Sequence, residues 1–310
     1  MAELILHHYD TSPFAHKVRG VLGFKRMNWR SVTVPVMNPK PDVVALTGGY
    51  RRTPFMQVGA DIYCDSARTC RLLEQLASEP TLYPASAGGA MHMVAQWADT
   101  ALFWAAVPRA IATGGVQHYF PNSTPEFMQA FGADRAALTQ GMRRNAPHDG
   151  AAIVAHYLGW IEAQLADGRT FLMGAQPSIA DFSAEQSVWF MRRAPAGVAA
   201  LAPYPKLLAW ADRVLAFGEG SALPMSSTEA IALAAASREF APCEFDKSYG
   251  FEPAAPVSVN AQDYGADPVA GTLVGISAHE SVVERVDERA GRVHVHFPRV
   301  GFQIKKETTT

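Results

Sequence analysis

A serine hydroxyl at the junction of the first predicted strand and the first predicted helix is the feature most suggestive of chemistry. Ser12 follows an apolar run at residues 4–9 and precedes Pro13, a residue that suits the first position of a helix. The first N–H groups of a helix lack partners within it, so together with a hydroxyl they can stabilise an anion. We therefore predict Ser12 as the catalytic residue, with Tyr9 and Thr11 as alternatives. A role for Ser12 as a helix N-cap only also stays open.

The remaining thiols and imidazoles form weaker patterns. The cysteines are odd in number and show neither C-x-x-C nor metal spacing, which disfavours a disulfide framework and a zinc site. His294 and His296 would share one face of a strand, but two histidines without a third ligand make a poor metal site. We therefore predict no metal. The cysteines are Cys64, Cys70 and Cys243.

The elements that position Ser12 alternate between strand and helix over the first eighty residues. Residues 4–9 form an apolar run, residues 14–25 have helical spacing, and residues 31–36 are β-branched. A strand–helix–strand unit of this kind places its strands parallel. An irregular connection rich in proline and glycine follows. Residues 55–64 then predict a hairpin, and residues 67–76 a helix capped by the preceding acidic and serine residues.

The middle of the chain has long alanine-rich helical patterns. Residues 90–112 carry Trp97 and Trp104 on one helical stripe, which is typical of a core face of a bundle. Residues 178–181 form a capping box that predicts the start of a buried helix. Residues 118–131 are rich in proline, asparagine, serine and threonine, and we interpret them as an insertion or lid.

The C-terminal part has a third sequence pattern, different from those of the first eighty residues and of the middle of the chain. Short β-type runs between residues 257 and 304 are separated by turn residues, and they predict about five strands in a small barrel or meander packed on the helical part. The sequence thus predicts three domains: an α/β domain at residues 1–84, an all-helical domain at residues 85–245, and a β-rich extension at residues 246–310.

Composition excludes several classes of function. The 310 residues are 48% hydrophobic and 18% charged, with a formal net charge of −2, so a disordered chain is excluded. We find no basic stripe that would attract nucleic acid or anionic lipid, and no signal peptide or long apolar stretch. These features predict a soluble cytoplasmic protein without nucleic-acid or membrane partners.

A set of short motifs in a fixed order resembles the glutathione S-transferase superfamily, particularly bacterial members with serine at the active-site position. No single motif is specific, but their order across residues 1–220 is. Those in the first half are Tyr9-Asp10-Thr11-Ser12-Pro13-Phe14, Lys17-Val18-Arg19, Thr53-Pro54 and Asp65-Ser66. Those in the second half are the capping box at residues 178–181, Tyr204-Pro205-Lys206-Leu207 and the Trp210/Arg213 pair.

The resemblance implies a fold and a set of glutathione contacts. The fold is a thioredoxin-like α/β domain followed by an all-α domain, usually assembled as a homodimer; the β extension lies outside the resemblance. Thr53 would pair through its backbone with the cysteinyl unit of glutathione, next to a cis Pro54. Asp65 and Ser66 would bind the γ-glutamyl end. Arg52 or Lys40 would bind the glycyl carboxylate.

The same resemblance implies that Ser12 lowers the pKa of the glutathione thiol, so that the thiolate attacks a small hydrophobic electrophile. Because serine stands where thiol-transferase relatives have cysteine, a mixed disulfide at this position is not available. Trp97, Phe103 and Trp104 would line the electrophile pocket between the domains. Two alternatives stay open: a catalytically silent scaffold that uses its β extension for protein contacts, and a redox sensor using Cys64 or Cys70. The sequence does not indicate the electrophile.

Overall fold

A computed structural model describes residues 3–112, 114–143 and 145–307 of the chain. Within these residues the chain forms ten β-strands and eleven α-helices. The strands are β1 (Ile5–His8), β2 (Asn28–Thr33), β3 (Phe55–Val58), β4 (Asp61–Cys64), β5 (Ser221–Pro224), β6 (Pro256–Ala261), β7 (Val269–Ile276), β8 (Glu280–Asp287), β9 (Gly291–Pro298) and β10 (Phe302–Lys306). The helices are α1 (Pro13–Phe24), α2 (Pro41–Thr47), α3 (Ser66–Leu76), α4 (Ala90–Trp97), α5 (Phe103–Ile111), α6 (Pro125–Leu138), α7 (Pro147–Gln164), α8 (Ile179–Met191), α9 (Pro195–Leu201), α10 (Pro205–Leu215) and α11 (Ser227–Ala236).

The N-terminal α/β unit has the predicted order of elements with one additional helix, α2. Strands β1 and β2 are parallel and joined by α1, and β3 and β4 form the antiparallel hairpin. Helix α2 was not predicted, because its sequence looked like an irregular proline-rich connection. Pro41 occupies the first turn of α2, where a missing N–H costs nothing, and Gly48 ends the helix in the left-handed region at φ 79°.

The helical part contains one irregularity that changes the direction of its side chains. Helices α4 and α5 are joined by a π-helical segment, Ala98–Leu102. Because a π-helical turn takes in more residues than an α-helical turn, it shifts the phase of everything that follows. Trp97 and Trp104 therefore do not share the predicted stripe. The predicted insertion at residues 118–131 includes the first half of α6.

The capping box at the start of α8 is confirmed. Asp181 accepts hydrogen bonds from the backbone N–H of Ser178 and from the side chain of Trp210, at 2.8 Å and 2.9 Å. It also accepts one from the backbone N–H of Leu172. Asp181 is fully buried, so this cap ties α8 to α10 inside the bundle.

The C-terminal strands extend the N-terminal sheet. Strand β9 pairs in parallel with β4, β5 pairs in parallel with β2, and the ten strands form one sheet in the order β10-β6-β7-β8-β9-β4-β3-β1-β2-β5. Strands β6 to β9 pair antiparallel in sequence order, so the predicted meander is present. The prediction that it packs on the helical part is wrong, because β9 joins the sheet of the N-terminal unit. The outer edge of β4 offers unpaired backbone groups, and β9 satisfies them.

The hydrophobic core follows this arrangement in two large clusters. One lies between α1, α3 and the helical bundle, with Trp210 and Phe182 among its buried side chains. The other lies under α2 and α11 and continues along β6–β10, with Phe55 and Phe297 among its members. The first cluster packs the middle and C-terminal part of α1 against the bundle through Val18, Val21 and Leu22. Over the described ranges, no helix is long and apolar enough to span a membrane.

Candidate active site

Ser12 lies where β1 leads into α1, as predicted, and its hydroxyl makes two hydrogen bonds. The oxygen accepts one from the backbone N–H of Ala15 at 3.2 Å, which makes Ser12 the N-cap of α1. The hydroxyl donates to the carbonyl of Thr53 at 3.4 Å. That second distance is near the limit of a hydrogen bond, so the hydroxyl proton can turn to a better acceptor at little cost. Capping and anion binding are therefore compatible roles for Ser12.

Ser12 lines a cavity of about 540 Å³ between the α/β unit and the helical bundle. Both alternative hydroxyls, Tyr9 and Thr11, line the same cavity, together with Thr53 and the end of α5. Ser12 itself is only 2% exposed, so a group that reached its hydroxyl would be largely shielded from water. Hydrogen bonds to an anion at this point would be strong, because such bonds are stronger when water is excluded.

The residues implied for glutathione binding lie at two places. The Thr53-Pro54 peptide bond is cis and adjoins Ser12. Asp65 caps α3 by accepting from the backbone N–H of Ala67 at 2.8 Å, and the hydroxyl of Ser66 accepts from Lys17 at 3.4 Å. Neither Asp65 nor Ser66 is among the residues that line the 540 Å³ cavity, whereas Thr53 is.

Arg52 is held by the C-terminal extension. Its guanidinium donates to the carbonyl oxygen of Tyr264 at 3.0 Å and to the carboxylate of Asp263, and it lies 3.8 Å from the centroid of the Tyr264 ring. The Tyr264 ring in turn contacts Trp104 edge-on, with 4.9 Å between centroids. The backbone N–H of Gly265 donates to Leu138 at the end of α6 at 2.8 Å. The loop at residues 262–268 therefore joins both sides of the cavity.

Lys40 is a buried cation of the α/β unit that has no anionic partner among the described residues. It is 6% exposed and lines the cavity. Within the described part of the chain its ammonium has no hydrogen bond or ion pair, and it lies 5.9 Å from the centroid of the Tyr9 ring. Burial, with a smaller contribution from Arg135, lowers the pKa of Lys40 to about 8. A buried ammonium without an anion beside it is unfavourable, so this position favours a bound anion.

Two of the three aromatic residues predicted for the pocket line the cavity. Phe103 and Trp104 do, and the indole N–H of Trp104 has no hydrogen-bond partner. Trp97 does not: it packs against Tyr157 and Trp160 on the other face of the bundle. The physical reason is the π-helical segment between Trp97 and Phe103, which rotates the two groups apart.

The cysteines and paired histidines are structural in their surroundings. Cys64 and Cys70 are fully buried, and burial raises the pKa of both thiols, that of Cys70 to about 12. His296 lies between Asp61 and Glu280 at 3.0 Å and 3.1 Å. Across residues 3–112, 114–143 and 145–307, no group of three or more His, Cys, Asp or Glu side chains is arranged to hold a metal ion.

Several residues of the cavity were not predicted. Tyr264 belongs to the extension, and its place in the cavity depends on the pairing of β9 with β4, which is not visible in local sequence. The cations of the helical side are Arg109, Arg135 and Arg143. Arg109 lies in the stretch interpreted as a core face of the bundle, whereas Arg135 and Arg143 lie outside both that stretch and the predicted insertion. The number of basic residues near the predicted pocket helices is the sequence signal that could have indicated these cations.

Comparison with known proteins shows the family. Residues 6–81 match the description "Glutathione S-transferase, N-terminal domain", and residues 135–213 match "Glutathione S-transferase, C-terminal domain". A GST-like protein from Pseudomonas syringae is 40% identical, with a TM-score of 0.80 over 99% of this chain and 100% of that protein. The chain belongs to the glutathione S-transferase superfamily. Because the match with the Pseudomonas protein covers nearly the whole chain, it includes the C-terminal strands.

More distant structures share the fold alone. A glutathione S-transferase from Rhodospirillum rubrum is 21% identical, with a TM-score of 0.51 over 68% of this chain and 87% of its own. A glutathione transferase from Populus trichocarpa is 14% identical, with a TM-score of 0.51 over 68% and 93%. No curated protein matches the chain.

Proposed function

We propose that this protein is a glutathione-dependent transferase in which Ser12 stabilises the thiolate of glutathione for attack on an electrophile. One observation carries the proposal: the Ser12 hydroxyl caps α1 at the wall of a large cavity between the two parts of the fold. A free thiol has a pKa of about 8.5, so only a few per cent is thiolate at neutral pH. A hydroxyl donor and the N-terminal end of α1 together favour the charged form.

Glutathione would lie along the wall formed by the α/β unit. Its cysteinyl backbone would pair with Thr53, next to the thiol site at Ser12, and its glycyl carboxylate would meet the unpaired ammonium of Lys40. Between the two cations considered for that carboxylate, Lys40 is favoured because Arg52 is already occupied by Asp263 and the Tyr264 carbonyl. Asp65 and Ser66 at the start of α3 would bind the γ-glutamyl end.

The electrophile would occupy the wall formed by the helices, where Phe103 and Trp104 offer apolar surface. Attack forms a bond from sulfur to carbon, and the leaving group departs with the electron pair of the bond that breaks. The thiol proton has already passed to solvent. We further propose that the protein acts in the cytoplasm as a homodimer, which light scattering at several concentrations tests.

Titration with glutathione and with S-methylglutathione, followed by calorimetry, tests the binding step. Difference absorbance in the ultraviolet then reports the thiolate of bound glutathione. We expect binding of both ligands, and a thiolate signal at neutral pH that Ser12→Ala removes. The absence of glutathione binding at millimolar concentration would reject the proposal and leave a silent scaffold.

A further inference from the structure

The charged residues that line the cavity are all positive. Six of its lining residues are lysine or arginine, and no lining residue is aspartate or glutamate. A wall of this kind attracts an anion and repels a cation, and the low polarity of the surrounding aromatic residues strengthens both effects. The six cations are Lys40, Arg51, Arg52, Arg109, Arg135 and Arg143.

Carboxylates behind the wall neutralise three of these cations. Arg51 and Arg135 share Asp134, each at 2.8 Å. Arg51 also lies 4.0 Å from Asp267, so two carboxylates face these two arginines. Arg52 pairs with Asp263. These arginines therefore have a structural role and leave little positive charge for a ligand.

The other three cations have no carboxylate within 4.0 Å among residues 3–112, 114–143 and 145–307. Lys40 belongs to the α/β unit and is the residue assigned above to the glycyl carboxylate of glutathione. Arg109 lies at the end of α5, and Arg143 follows α6, so both belong to the helical side. Glutathione bound along the α/β wall would satisfy Lys40 and leave these two arginines free.

The same helical wall carries a large aromatic surface. Phe103 and Trp104 contact each other edge-on, and Phe120 packs against Phe131 at 5.1 Å between centroids. All four residues line the cavity. Aromatic walls favour aromatic ligands, and a guanidinium pairs with a carboxylate through two parallel hydrogen bonds.

We infer that the second substrate is an aromatic electrophile that carries a carboxylate, with its ring against Phe103 and Trp104 and its carboxylate on Arg109 and Arg143. This inference rests on the proposed function and gives it a substrate class. In a displacement on a benzylic halide, the thiolate sulfur bonds to the benzylic carbon and the halide leaves with the electron pair of the carbon–halogen bond. The thiol proton goes to water, so the products are a thioether, a halide ion and a proton.

Two probes of matched reactivity test the inference: 4-(chloromethyl)benzoate and its methyl ester. We expect kcat/KM, corrected for the uncatalysed reaction, to be at least about tenfold higher for the carboxylate than for the ester. The double variant Arg109→Gln and Arg143→Gln should bring this ratio close to one. Arg192→Gln is the control, since Arg192 is partly exposed, pairs with Asp212 and does not line the cavity. It should leave the ratio unchanged.

Binding of unreactive ligands tests the carboxylate site separately from the proposed transferase function. Calorimetry with 4-methylbenzoate and with 4-methylbenzamide measures the anion site without any need for turnover. Tighter binding of the benzoate, lost in the double variant, supports the carboxylate site on Arg109 and Arg143 whatever the outcome of the glutathione titration, so a failure of the proposed function alone can be recognised. Equal binding of the two ligands, equal kcat/KM for the two chlorides, or a preference that survives the double variant overturns the inference.

Discussion

Ile62 and Val295 lie opposite each other on the parallel strands β4 and β9, and this pairing joins the C-terminal extension to the sheet of the α/β unit. Both side chains are fully buried in one hydrophobic cluster. The extension and the α/β unit therefore share both hydrogen bonds and core, and we expect them to unfold together.

Phe297→Ala tests this shared core. Phe297 is 1% exposed and its ring contacts Tyr50 of the α/β unit. We expect the substitution to lower the free energy of unfolding by about 3–5 kcal/mol. Denaturant unfolding followed by fluorescence and circular dichroism should show one transition that shifts as a whole. Val300→Ala is the control, because Val300 is 68% exposed and its loss should cost no more than about 0.5 kcal/mol. Two separate transitions, only one of them shifted, would contradict the shared core.

Ser12→Ala removes a donor from the proposed thiolate. We expect the pKa of bound glutathione to rise by about one to two units and kcat/KM at neutral pH to fall about 10- to 100-fold. The lost cap should also cost about 1 kcal/mol of stability. Tyr9→Phe and Thr11→Val are the matched variants for the alternative hydroxyls. If Tyr9→Phe raises the thiol pKa and Ser12→Ala does not, the thiolate contact belongs to Tyr9.

Lys40 predicts a dependence of glutathione affinity on pH. Its ammonium is charged below a pKa of about 8 and neutral above it, so a bound carboxylate loses its partner as the pH rises through this value. We expect the Kd of S-methylglutathione, which has no titrating thiol, to increase across that range. Lys40→Arg should bind throughout without the inflection, because arginine stays protonated. A flat profile in the wild type would show that Lys40 does not meet the carboxylate.

The same residue has an opposite effect on the free protein. The pKa of Lys40 is lower in the folded state than its ordinary value of 10.5, so the unfolded chain holds this proton more tightly. Lys40 therefore destabilises the unliganded fold below about pH 8, and the penalty fades as the pH rises from about 8 towards the unfolded value. We expect Lys40→Met to raise the unfolding free energy at neutral pH, with a smaller gain at pH 9. A gain that is independent of pH would contradict this cause.

The capping boxes at the starts of α8 and α11 offer a matched comparison. Asp181 is buried at the start of α8 and accepts from Leu172, Ser178 and Trp210, whereas Glu229 is exposed at the start of α11. Asp181→Ala leaves several buried donors unpaired, and we expect a cost of about 3 kcal/mol or more. Glu229→Ala should cost about 1 kcal/mol or less, because water replaces the acceptor. Thermal unfolding of both variants measures the difference, and equal losses would contradict it.

Local sequence was sufficient for most elements of the α/β unit and for the position of Ser12, although it did not predict α2 or β5. The strand–helix–strand order, the hairpin and the capping box at residues 178–181 depend on side-chain periodicity and turn chemistry within a few residues. The position of Ser12 at the start of α1 follows from the same signals, since Pro13 and the apolar run that precedes Ser12 fix the junction.

Long-range pairing and helix phase were not predictable in this way. The match of β9 with β4 joins residues more than two hundred positions apart, and Tyr264 enters the cavity only because of it. The π-helical segment Ala98–Leu102 depends on packing against α8, and it removed Trp97 from the predicted pocket. The cations that support the substrate class come from segments whose closeness in space is a property of the whole fold.

The position of β9 also has a consequence for synthesis of the chain on the ribosome. Strand β4 is made early, but its outer edge waits for a partner that is translated more than two hundred residues later. During that interval the emerging chain presents an open strand edge to other nascent chains. The loop at residues 262–268 is also made late, so no fragment released before that point can close the cavity. Premature termination should therefore yield products that aggregate and lack a complete site.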